Sequence, residues 1–84
     1  MKRYLVESVH EAKDCDHILE LFMFHGHILN FDWGCESGVH SGWAQVDAEN
    51  ETEALLSVPP QLRSKSRAVR LNKFTPEMIQ TLHK

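Results

Sequence analysis

The apolar patterning predicts one small α+β domain spanning residues 1–84, with elements in the order β-α-β-β-α-β and one further helix at the end. Three observations carry this reading. Residues 15–25 repeat apolar side chains at helical spacing, between runs that read as strands. Two strand-like runs flank Ser37-Gly38 as the arms of a hairpin do. Thr75-Pro76-Glu77 then marks a helix start after the last strand.

Tyr4 to Val9 is the first strand. Its apolar residues fall on both faces, Tyr4 and Val6 on one and Leu5 and Val9 on the other. Asp14 can cap the first helix, which runs from about Cys15 to His25 and buries Cys15, Ile18, Leu19, Phe22 and Met23. Gly26 ends it, because glycine takes the left-handed conformation without strain. Ile28–Glu36 and Val39–Asp47 form the hairpin, in a register that pairs Cys35 with His40. Asn50-Glu51-Thr52-Glu53 opens a second helix with a capping-box pattern, and Pro59-Pro60 interrupts it. Arg67 to Phe74 is the fourth strand, and the last helix carries Met78, Ile79 and Leu82. One antiparallel sheet with helices on one face is the economical packing. The other face then keeps Trp43 uncovered, with Leu5 or Tyr4 nearby, which predicts a homodimer that buries sheet against sheet.

A chain of 84 residues buries little over ~60% of its unfolded surface, so added support is expected from a metal or a partner chain. Two cysteines, Cys15 and Cys35, are too few for a disulfide scaffold. With no signal-peptide pattern after Met1-Lys2-Arg3 and no apolar run long enough to span a bilayer, the expected place is the cytoplasm, away from membranes, with both thiols reduced. The net charge of −3 argues against a nucleic-acid partner. Charge is unevenly spread: residues 1–60 carry eleven acids and three bases, whereas residues 61–74 carry five bases and no acid. That basic run reads either as a solvated strand facing an acidic surface or as a site for a carboxylate or phosphate.

The stretch from Asp32 to Trp43, with Val46-Asp47-Ala48, Val58-Pro59-Pro60 and Leu71-Asn72-Lys73-Phe74-Thr75, resembles a group of small uncharacterised bacterial proteins. These look like members of the dimeric α+β barrel superfamily, near muconolactone delta-isomerase. The resemblance implies a ferredoxin-like βαββαβ protomer and a homodimer. It does not place the isomerase's active-site pattern on these residues.

The predicted topology gathers His10, Cys15, His17, Cys35 and His40 at one end of the domain. Thiolate and imidazole together suit zinc or nickel. Alternatively, His40 activates Cys35 as a reactive thiol, or Cys35 is a small buried hydrophobe beside a surface histidine. His25-Gly26-His27 is a second possible chelate, at the opposite pole, where imidazolium groups also suit the end of a helix. Asp32, Trp33 and Trp43 are the expected contacts of a small-molecule ligand. Asp32 and Trp43, with Gln45 and Tyr4, outline a cleft in which an acid can serve as general base. The leading functional expectation is a homodimeric binder of a small molecule or metal near Cys35 and His40. An isomerase or cofactor-independent oxygenase-like enzyme, and a structural adaptor, are the alternatives.

Overall fold

The structure is a computed structural model that describes residues 1–82. Strand β1 (Lys2–Val9) leads through a short 3-10 turn (Ala12–Asp14) into helix α1 (Cys15–Phe24). Strands β2 (Asp32–Trp33) and β3 (Ser41–Ala48) follow, then the short helix α2 (Glu51–Ala54), strand β4 (Ser66–Arg70) and helix α3 (Pro76–Leu82). The sheet order is β2-β3-β1-β4, and every neighbouring pair is antiparallel. This resembles the ferredoxin-like arrangement expected from the element order.

Alternation divides the sheet into two faces. Tyr4, Val6, Ala44 and Ala48 point into the core, where Ile18 and Phe22 of α1 and Val58 and Leu62 of the α2–β4 connection meet them. Leu5, Glu7, Trp43, Gln45 and Val69 lie on the opposite face, as their pairings across the sheet require. The helix boundaries follow local chemistry. Gly26 has φ +78°, the left-handed stop expected of it. The Asn50 side chain accepts the Glu53 N–H at 2.8 Å, and the Thr75 hydroxyl accepts the Met78 N–H at 3.2 Å. After Pro59, the Arg63 guanidinium donates through Nε to the carbonyls of Leu55 and Val58, the former of which also accepts the Val58 N–H.

Several expectations are corrected. The sheet is open, with β2 and β4 as its edges, so the closed dimeric α+β barrel is not formed. β2 is two residues long because Ile28–Asn30 makes a 3-10 turn, its Asn30 N–H bonded to the His27 carbonyl. An edge strand gains ladder bonds on one side alone, so local bonds compete well there. Asp14 makes no side-chain cap; it belongs to the turn that leads into α1. Met23 is exposed, leaving Ile18 and Phe22 as the buried residues of α1. Met78, Ile79 and Leu82 of α3 are also exposed.

The aromatic group at the hairpin depends on an absent side chain. A Cβ on Gly42 would stand 2.6 Å from the Trp33 ring. Trp33 therefore lies over Gly42, edge-on to Phe22 at 4.8 Å between ring centroids. Gly42→Ala should displace Trp33 and lower stability by about 1–3 kcal/mol, the usual cost of overpacking. Urea unfolding followed by tryptophan fluorescence measures this; an unchanged midpoint would show that the ring moves freely.

Candidate metal centre

Four side chains from four segments meet at the end of the domain where β1 stops. His10 follows β1, Cys15 opens α1, Cys35 begins the 3-10 turn Cys35–Ser37 at the hairpin tip, and His40 precedes β3. One donor atom from each lies within 4.8 Å of the other three, a cluster capable of coordinating a metal ion. Cys35 Sγ is 3.5 Å from His10 Nε2, and the His10 and His40 rings stand 5.5 Å apart at 65°.

The backbone places each donor. The β1–β3 ladder ends with Val9 opposite Ser41 and is extended by one bond, the His10 N–H donating to the His40 carbonyl at 3.1 Å. His10 is thus the cross-strand neighbour of His40. The expected Cys35–His40 pair does not form, although Asp32↔Trp43 and Trp33↔Gly42 keep the predicted register. Local turns end that ladder early. The Gly34 carbonyl accepts the N–H groups of both Ser37 and Val39, and the Ser41 N–H turns back to the Val39 carbonyl around His40. Cys35 reaches the cluster from its turn instead of from a strand.

His17 is not part of the cluster. Two residues beyond Cys15 on a helix is about 200° around the axis. It lies with Glu20, Leu21, Met23 and Phe24 on the outer side of α1. His25 and His27 likewise stay apart from the four donors, at the far end of α1.

Burial shifts the titration of two of the four donors. It lowers the pKa of His10, and the neighbouring His40 lowers it further, while Asp14 pulls the other way. Burial also raises the Cys35 thiol, and the adjacent Cys15 adds to the rise. Cys35 is therefore not the activated thiolate that the reactive-thiol reading requires. Both His10 Nδ1 and His40 Nδ1 are buried without a hydrogen-bond partner. Buried nitrogens without a partner are uncommon, and these two belong to the rings that meet the two thiols. Tetrahedral zinc at ordinary bond lengths puts its donors about 3.3–3.8 Å apart, so these side chains need to close by about 1 Å. Trp33, 6.2 Å from His10 between ring centroids, packs beside the cluster.

The expected ligand residues divide between the two faces. Asp32 and Trp43 oppose each other on the uncovered face, whereas Trp33 lies over Gly42 on the helix side and Tyr4 is buried in the core. They do not line one cleft. Trp43 is occupied elsewhere: its indole N–H donates to Glu7 Oε2 at 2.9 Å, and Arg67 Nε donates to Glu7 Oε1 at 2.9 Å. Arg3 and Asp47 add a looser pair at 3.7 Å on the same face. This face is thus laced with paired charges, not the bare apolar surface that motivated a homodimer. The sequence reading missed the Glu7 bridge; the signal available was an acid and a base at opposed positions of β1 and β4.

No protein-family model matches the chain, nor does any curated protein or solved structure. The resemblance to the muconolactone delta-isomerase group is therefore not upheld, and the open sheet removes its barrel as well. Among the described residues, no helix is long and apolar enough to cross a membrane.

The Glu7 bridge has a pH signature. The Trp43 indole, and then Arg67, hold the Glu7 carboxyl below the usual carboxylate range, against the opposing effect of its burial. A carboxylate depressed in the folded state stabilises it fully above the unfolded value, and that contribution is lost as pH falls through the folded value. Glu7→Gln should therefore flatten the acid limb of the stability profile and change Trp43 fluorescence. A variant with the wild-type acid limb would show that the bridge contributes nothing in solution.

Proposed function

We propose that this chain is a metal-binding domain in which His10, Cys15, Cys35 and His40 hold one ion, zinc in preference to nickel. The observation that carries this reading is the convergence of four donor atoms, from four separate segments, within 4.8 Å. Two thiolates and two imidazoles make a donor set suited to zinc, and tetrahedral placement favours zinc over the square-planar geometry common for nickel. Four protein ligands leave no open position for a substrate, so the ion is structural. It ties the end of β1, the start of α1 and the hairpin tip together in a chain whose size supplies a small core. The enzymatic alternative has less support, because Trp43 is committed to Glu7 and Asp32 is exposed at the sheet edge.

Protein purified without a histidine tag should contain one zinc per chain, measured by elemental analysis. At an ion concentration 100-fold above Kd, binding adds ~2.7 kcal/mol. Chelation should then lower the melting temperature by roughly 10–20 °C for a domain of this size. Cys35→Ser and His40→Ala should each lose most of the binding, whereas His17→Ala, His25→Ala and His27→Ala should keep it. Affinity should fall as pH drops through the imidazole range, since protons compete for the ligands. A wild type that takes up neither zinc nor nickel, and melts alike with and without chelator, would overturn the proposal.

A further inference from the structure

At the other end of β1, a cavity of about 440 Å³ is lined by Arg3, Gln45, Leu71, Asn72 and Lys73. Three segments build it. Arg3 and Gln45 project from β1 and β3 on the uncovered face of the sheet, in register positions set by Arg3↔Asp47 and Leu5↔Gln45. The chain leaving β4 forms the third wall. Its Leu71 N–H donates to the Arg3 carbonyl at 2.9 Å, which extends the β1–β4 ladder by one bond and places Leu71 opposite Arg3. Asn72 and Lys73 follow where the ladder has ended.

We propose that this cavity binds a small organic oxyanion, a carboxylate or phosphate monoester carried on a short apolar body. Two cations from opposite ends of the sequence line it, together with two amide side chains and with Leu71 as its apolar residue. The Arg3 guanidinium is a planar fork suited to two parallel hydrogen bonds to an oxyanion, and Lys73 adds a mobile point charge. Asp47 is the nearby acid. It stands 3.7 Å from Arg3 Nε with both side chains more than half exposed, a contact too loose and solvated to hold the guanidinium against a ligand. Lys73 makes no ion pair or hydrogen bond among the described residues. The amides orient the ligand: Gln45 and Asn72 each offer an N–H₂ donor beside a carbonyl acceptor.

This site is independent of the metal centre. Arg3 and His10 are seven residue steps apart along extended chain, a distance of about 23 Å. Failure of one reading therefore leaves the other standing.

The test is a titration of the ¹⁵N-labelled full chain with benzoate, phenyl phosphate and benzamide, followed by amide shifts. Saturable shifts at Gln45, Leu71, Asn72 and Lys73 are expected with benzoate or phenyl phosphate, with Kd on the order of 1 mM for ligands of this size in an open cleft. Whichever of the two binds more tightly identifies the oxyanion. Neutral benzamide should leave those resonances in place. Arg3→Gln and Lys73→Gln, both at exposed positions, should each weaken binding by about tenfold, the loss of one charge-assisted hydrogen bond. Absence of localised shifts with both anions, an equal response to benzamide, or full affinity in both variants would overturn the proposal.

Discussion

Trp33 lying over Gly42 is the contact on which the rest of this small domain leans. The indole needs the space that a β-carbon would take, and in return it joins three regions. It meets Phe22 of α1 edge-on, tilts against Phe31 just before β2, and packs near His10 at the end of β1. Phe22 is fully buried, and its ring is also edge-on to Phe31 at 4.9 Å. A two-residue edge strand has few ladder bonds of its own. Its position comes instead from this aromatic group, and the hairpin tip that carries Cys35 follows from that position.

Charge is arranged around the same frame. Among the described residues, one ion pair joins the acids of residues 1–60 to the bases of residues 61–74, across β1 and β4, where Glu7 stands opposite Arg67. Glu7 is shared between a guanidinium and an indole N–H, so Trp43 on the uncovered face is held by a polar contact as well as an apolar one. The two ends of β1 differ accordingly. One is lined by His10 and Cys35, whose charged forms burial disfavours, the other by Arg3 and Lys73.

The legibility of the sequence follows from what each signal measures. Period-two alternation correctly assigns Tyr4 and Val6 to one face and Leu5 to the other, and the Asp32↔Trp43 register follows from the Ser37-Gly38 turn. Element order alone suffices to bring His10, Cys15, Cys35 and His40 to one pole. His17 was counted with them because proximity in sequence ignores rotation about a helix axis. The Cys35–His40 cross-strand pair was a reasonable inference from the register. It fails because the last residues of the hairpin bond locally, to Gly34 and Val39, which alternation cannot reveal. The expected apolar interface misjudged a face by its largest residues, Leu5 and Trp43, without the charges between them. The expected fourth strand runs on to Phe74, yet the ladder stops after one further bond at Leu71, and Leu71, Asn72 and Lys73 line the cavity.

The four donors are spaced symmetrically along the chain: His10 and Cys15 are five residues apart, as are Cys35 and His40, and the inner pair, Cys15 and Cys35, are twenty apart. Closing a twenty-residue loop costs only about 1 kcal/mol more than closing a five-residue one. The unfolded polypeptide therefore already contains two local half-sites, each offering one sulfur and one nitrogen. An ion caught by either half would travel with the chain as it collapses, and would be completed when the hairpin docks against β1. Half-sites that kept some affinity after unfolding would lessen the stabilisation that a given ion concentration brings. An ion held by them would then act on the order of assembly, favouring routes in which the two ends of this symmetric pattern meet early.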